Sequence, residues 1–320
     1  MKIVFLDYKT LNPGDLSFDE LESLGDVILY RDTDVKNESE IIEKIGDAEA
    51  IIVNKVPISK NIIEKCNNLK YIGLCSTGYN NIDIVEAKKR NISVRNCPEY
   101  STYAVSQFTI GLLLEICHNT YRHTESVMAG EWIKADDFCY WKHPVIELYG
   151  KTMGIVGFGN IGKNTGRIAK SLGMNVIASG SRPTDEGREI GEYVSFDELL
   201  EKSDVIALHC PLNEKTEKII NKDTISKMKD GVILLNTARG GLIDEADFRE
   251  ALDSGKIYAA GIDTVAVEPM LENNALRGAQ NLLITPHIAW ASLDTRKRLL
   301  DIIVGNLQSY MNGESINEVK

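Results

Sequence analysis

A chain of 320 residues with 43% apolar residues is long enough for two packed domains and too apolar to be disordered. Its formal net charge of −11, without a long basic run, makes nucleic acid and anionic membrane poor partners. No apolar run is long enough to span a bilayer. The opening MKIVFLD reads as a strand rather than a cleavable leader. Six scattered cysteines (Cys66, Cys75, Cys97, Cys117, Cys139, Cys210) lack a CxxC pair and fit a reducing compartment, so cytoplasm is the expectation.

The first hundred residues alternate between short apolar runs and amphipathic stretches. Runs at 3–6, 27–29, 50–53, 71–75 and 92–94 predict strands. Stretches at 16–24, 39–45, 59–66 and 82–89 predict helices, several opening near Ser, Asp or Asn. Such alternation implies a parallel sheet covered on both faces. A long helix is predicted over 102–118, with Val105, Phe108, Leu112 and Ile116 on its apolar face. The aromatic loop FCYWKHP follows at 138–144.

A second alternation begins near Lys151. Strands are predicted at 153–156, 175–179, 205–209, 232–236, 259–263 and 282–285, six in all, the number a dinucleotide-binding sheet needs. A last helix is predicted over 293–311. The expected fold is α/β with two doubly wound parallel-sheet domains, one flavodoxin-like and one a Rossmann domain. The flavodoxin-like domain would comprise 1–100 plus 291–320, and the Rossmann domain 101–290.

The segment Gly157-Phe158-Gly159-Asn160-Ile161-Gly162 fits GxGxxG, preceded by the strand TMGIV and followed by a helix. Gly157 would allow the tight turn, Gly159 the close approach of a pyrophosphate, and Gly162 close helix–sheet packing. The N–H groups opening the helix, at Asn160 and Ile161, favour phosphates. Three polar residues then fall where later strands end: Arg239 after VILLNTA, Glu268 beyond GIDT, and His287 after LLITP. Ligands of open α/β sheets bind outside the carboxyl ends of the strands, so the three would converge beside the cofactor.

That set suits reduction of a 2-oxo acid, which needs a hydride on carbon and a proton on oxygen. His287 can supply the proton near neutral pH. Glu268 can orient the ring and favour its protonated form. Arg239 can hold a carboxylate and polarise the carbonyl. No HExxH, CxxC or dense ligand cluster points to a metal.

The segments VGFGNIG, HCPL, LLNTARGGLIDE, GIDTVAVEP and TPHIAWAS resemble the D-isomer-specific 2-hydroxyacid dehydrogenase family over nearly the whole chain. VNKVP, FCYWKHP and HIAWAS are most similar to its glycerate dehydrogenase (hydroxypyruvate reductase) branch. The resemblance implies an NAD or NADP cofactor, a nucleotide domain inserted into a substrate domain, and a homodimer formed through the nucleotide domain. It gives the catalytic roles to Arg239, Glu268 and His287. It adds the backbone N–H groups of Thr77 and Gly78 for the substrate carboxylate. Asp263 and the Ala238 carbonyl would hold the nicotinamide carboxamide, with His209 and Pro211 also beside the cofactor. Asn54, Tyr140 and Trp290 are expected to border the substrate's hydroxymethyl side.

Two departures stand out. The acid that usually closes the second nucleotide-domain strand is missing, and the chain reads Ser179-Gly180-Ser181-Arg182-Pro183. NADP is therefore slightly favoured, with Ser181 and Arg182 facing its 2′-phosphate. The long helix also carries Ser106-Gln107-Phe108 where many relatives have an acid and a His. Two readings stand beside the reductase of hydroxypyruvate and glyoxylate: a relative using another 2-oxo acid, and a nicotinamide-sensing binding protein.

Overall fold

The computed structural model describes residues 1–180 and 182–319. It divides into two compact units: Met1–Ser101 with the segment from Ala291 onward, and Thr102–Trp290.

The first unit carries strands β1 (Lys2–Phe5), β2 (Asp26–Leu29), β3 (Ala50–Val53), β4 (Tyr71–Leu74) and β5 (Ser93–Arg95). All pair in parallel, in the order β2-β1-β3-β4-β5, the flavodoxin-like arrangement. Helices α1 (Asp19–Glu22), α2 (Glu38–Ile45), α3 (Lys60–Lys65) and α4 (Ile84–Lys89) connect them. Side chains of Asn37, Ser59 and Asp83 cap α2, α3 and α4, which sets where these helices start. β3 and β4 are buried at every position and read as continuous apolar runs, as central parallel strands do. The helix expected over 16–24 shrinks to α1. Asn12 Oδ1 accepts from the N–H groups of Gly14, Asp15 and Leu16 and holds 12–16 as a turn.

The second unit opens with α5 (Thr102–His118) and α6 (Thr120–Met128). Its sheet contains β6 (Thr152–Val156), β7 (Asn175–Ser179), β8 (Glu192–Tyr193), β9 (Val205–Leu208), β10 (Val232–Asn236), β11 (Ile257–Ile262) and β12 (Leu282–Ile284). Helices α7 (Asn160–Ser171), α8 (Asp185–Ile190), α9 (Phe196–Lys202), α10 (Lys222–Ser226) and α11 (Glu245–Asp253) link the strands. The order is β12-β11-β10-β9-β6-β7-β8, all parallel, so the expected six strands become seven. The missed strand is β8, two residues on the sheet edge and too short to show a period. Strand order reverses at β6, which lies between β7 and β9. The glycine turn follows β6, at the switch point where doubly wound folds bind ligands.

The apolar face of α5 is used up inside the chain. Val105, Leu112 and Ile116 are buried, and a side chain on Gly261 of β11 would meet Leu112 Cβ at 2.9 Å. The face therefore packs on its own sheet rather than waiting for a partner. Ser106 is buried too: its hydroxyl donates to Thr102 O at 2.7 Å and accepts from the Asn164 amide of α7. That gives the Ser106 substitution a packing role, the tie between α5 and α7. Helix α12 (Leu293–Met311), capped by Ser292, belongs to the first unit. There Arg296 forms a two-pronged ion pair with Asp15, at 2.6 and 2.7 Å. Among the described residues no helix is long and apolar enough to cross a membrane.

Candidate active site

The glycine turn meets three separate requirements. Gly157 has φ +92°, and a Cβ there would lie 2.4 Å from Cys210 N, so only glycine lets the β9 loop approach. A Cβ on Gly162 would lie 2.3 Å from Gly157 O, which holds α7 close against its strand. A Cβ on Gly159 would meet nothing within 4 Å, so that side of the turn is open. Gly159 is the N-cap of α7 and makes no side-chain cap bond, so the opening turn of the helix, at Asn160 and Ile161, suits an anion. The turn fits a dinucleotide pyrophosphate.

At the neighbouring strand ends, Gly180 follows β7 with φ +81°. Arg182 is exposed and has no hydrogen-bond or ion-pair partner among the described residues. Ser181 lies outside the described residues. The nearby acids are committed elsewhere: Asp185 pairs with Arg188 at 2.9 Å, and Glu186 pairs with Lys163 and Arg167 of α7. His209, at the end of β9, donates its N–H to Val156 O at 2.8 Å, and its Nε2 lies 3.0 Å from Thr165 Oγ1. Desolvation of its ring pushes its pKa down to about 4. Pro211 is exposed beyond it.

His287 and Glu268 are brought together: Nδ1 lies 2.8 Å from Glu268 Oε2. A ring nitrogen facing a carboxylate carries the proton, so Nε2 is left to face a reactant. The other Glu268 oxygen receives Val265 N–H at 3.4 Å. His287 itself has φ +57°, left-handed for a residue with a side chain. Asp263 holds that conformation. Its carbonyl accepts His287 N–H at 2.9 Å. Its buried carboxylate accepts from Thr285 Oγ1 (2.6 Å), Ile288 N (2.9 Å) and Ala289 N (2.8 Å).

Arg239 lies three residues past β10. Asn236, fully buried, clamps this turn from both sides: its Nδ2 donates to Arg239 O at 2.9 Å and its Oδ1 accepts Ala238 N–H at 3.0 Å. The Ala238 carbonyl in turn accepts from Arg239 Nη1 at 2.8 Å. Gly240 would place a Cβ 1.9 Å from the Val265 carbonyl carbon, so the Arg239 turn and the loop leading to Glu268 touch backbone to backbone.

In the first unit, Thr77 and Gly78 are exposed. Their N–H groups have no acceptor among the described residues, while Thr77 Oγ1 donates to Cys97 O at 2.8 Å. Asn54 is more committed than the sequence suggests, since its Nδ2 donates to Thr10 Oγ1 at 2.6 Å. Likewise Tyr140 OH bonds Ser126 Oγ at 2.7 Å, and Trp290 Nε1 donates to His287 O at 3.0 Å.

Residues 110–289 match the D-isomer specific 2-hydroxyacid dehydrogenase, NAD binding domain. The hydroxypyruvate reductase of Blautia hydrogenotrophica is 50% identical over 321 residues, covering 100% of this chain and 99% of the relative. The chain belongs to the D-isomer-specific 2-hydroxyacid dehydrogenase family. The glycerate dehydrogenase of Methylorubrum extorquens is 36% identical, again over 100% of this chain and 99% of the relative. Among solved structures, an acyclic imino acid reductase in complex with NADPH and D-Arg superposes with a TM-score of 0.87 at 31% identity, over 100% of both chains. The protein is an oxidoreductase acting on the CH–OH group.

Sequence reasoning missed residues of this dehydrogenase that act through other residues. Asn236 ends a buried strand and looks like a chance polar residue. The Thr109–Thr237 hydroxyl pair (2.7 Å) joins residues 128 positions apart, and no local pattern marks it. Asp7 reads only as a strand-end acid.

Proposed function

We propose that this dehydrogenase reduces small 2-oxo acids in the cytoplasm, hydroxypyruvate to D-glycerate foremost and glyoxylate to glycolate. The observation that carries this reading is the 2.8 Å His287–Glu268 pair beside the clamped Arg239 turn. A bound NADH or NADPH supplies the hydride. His287 Nε2 then gives its proton to the carbonyl oxygen, with Glu268 keeping the ring oriented. Arg239 holds the carboxylate and polarises the carbonyl. Thr77 and Gly78 offer N–H groups to a substrate carboxylate, and Asp263 serves both the His287 turn and the carboxamide. The first unit is the substrate domain, the second the nucleotide domain, and two copies pair through the second. The naming of the 50% identical relative favours hydroxypyruvate.

NADPH serves at least as well as NADH, because no acid directly follows β7 to repel a 2′-phosphate and Arg182 is an exposed cation without a partner among the described residues. The test is kcat/KM for hydroxypyruvate, glyoxylate, pyruvate and phosphohydroxypyruvate with each cofactor. Hydroxypyruvate is expected to lead, and faster use of pyruvate would overturn the substrate assignment. Arg182→Ala should cost NADPH use roughly tenfold, a loss of about 1.4 kcal/mol, and spare NADH. A wild type that strongly prefers NADH, with no selective effect of the variant, would overturn the cofactor assignment.

A further inference from the structure

We propose that Asp7 is a positioning residue for substrate binding, acting through the backbone of the VNKVP loop and the turn beyond it. The inference rests on the reading above, that the loops carrying Asn54, Thr77 and Gly78 hold the 2-oxo acid.

Asp7 lies just past β1, at the carboxyl edge of the first sheet, and is buried. Its carboxylate collects three successive backbone N–H groups: Asn54 at 2.7 Å on Oδ1, and Lys55 at 2.6 Å and Val56 at 3.2 Å on Oδ2. Consecutive N–H groups turned to one side form an anion-binding concavity. Here the protein fills that concavity with its own acid. The arrangement fixes the loop more tightly than neutral bonds would, because bonds to an ionised acceptor are the stronger kind. Burial works against the charge and raises the Asp7 pKa, while the three N–H groups work the other way.

The bonds continue. Asn81 Nδ2 donates to Val56 O at 3.0 Å and to Asn54 O at 3.4 Å. Three residues before Asn81 is Gly78, whose exposed N–H stands beside that of Thr77. Asn96 and Cys97 fix the far side of that turn, through Asn96 Nδ2 to Thr77 O (2.7 Å) and Thr77 Oγ1 to Cys97 O. Asp7 thus fixes the VNKVP loop, the loop holds Asn81, and the chain leads back three residues from Asn81 to the N–H groups offered to a carboxylate.

Asp7→Asn keeps the shape but turns an N–H₂ group against backbone N–H donors. The KM for hydroxypyruvate should rise about tenfold or more, with a much smaller change in kcat. NADH affinity, read by quenching of protein fluorescence, should stay within about twofold, because the glycine turn belongs to the other unit. Asn81→Ala leaves the Asp7 contacts intact and should raise the same KM severalfold, so the proposal stays testable if Asp7→Asn does not fold. An unchanged KM in either folded variant would overturn it. So would a parallel loss of kcat, KM and NADH affinity, the mark of general destabilisation. A wild type that turns over no 2-oxo acid would instead remove the underlying reading, and the proposal with it.

Discussion

His287 sits in a backbone conformation that costs an L-residue roughly 1–3 kcal/mol, and such strain persists only where the surroundings over-determine it. Asp263 provides that over-determination through its carbonyl and three contacts to its carboxylate. The ring is therefore held at both ends, by the turn and by Glu268. His287→Ala should lower kcat by roughly 10²–10⁴-fold, the usual worth of a positioned acid–base. Glu268→Gln keeps an acceptor for Nδ1 but removes its charge. It should lower kcat by less than His287→Ala does, since the ring keeps a partner that holds its orientation. Near-normal turnover in the His287 variant would exclude it as the proton donor. At this scale the sequence marks the three residues because each follows a recognisable strand. Asp7 and Asn236 stay hidden, and Ser106 shows only as a departure without a role, since their partners lie far along the chain or their bonds run to backbone that no side-chain pattern predicts.

Among the elements, the β6 turn, α7 and the end of β9 form one packed unit, and His209 shows what that packing does to a titratable group. Its ring is desolvated against Thr165 of α7, and its pKa falls from the ordinary 6.5 to about 4. Between those values the unfolded chain binds a proton that the folded chain refuses. Stability is thus fully present above about pH 6.5 and declines as pH falls toward 4. The slope from this one group reaches about 1.4 kcal/mol per pH unit. His209→Gln does not titrate, so urea unfolding at pH 7.5, 6.0 and 5.0 should show a shallower acid loss than the wild type. Equal slopes would mean that His209 is solvated in solution. Element types were legible wherever an apolar run was long: β3, β7, β10, α5 and α12 fall where the pattern puts them. Ends were less so, because side-chain caps and turns decide them. Ile82, predicted as helical, instead bonds Tyr79 O in a turn, and Asp83 caps α4 from there.

At the scale of the molecule, the question is what covers the aromatic segment after α6. The 102–118 helix and the aromatic loop after it are both expected near a partner copy, and of the two α5 turns its apolar face onto α7 and β11. The uncovered apolar groups come next: Trp132, Ile133 (89% exposed), Phe138 (82% exposed) and Trp141. They are not a slack loop. Trp132 Nε1 donates to Phe138 O at 3.1 Å, Lys142 pairs with Glu131, and Lys142 N–H donates to His123 Nε2 at 3.3 Å. A loop braced in this way while presenting large apolar side chains to water is the kind of surface that marks a protein contact. Aromatic anchors of this type dominate interface energies. A second copy of the chain is the occupant expected from the family, so light scattering at micromolar concentration should give twice the 35.6 kDa chain mass. Replacing Ile133 and Phe138 together by lysine should shift that mass toward the single chain. Neither side chain is part of the core, so the change opens no cavity and the variant should stay folded. A wild type of single-chain mass would overturn the dimer, and a double variant that keeps the doubled mass would move the contact away from this loop.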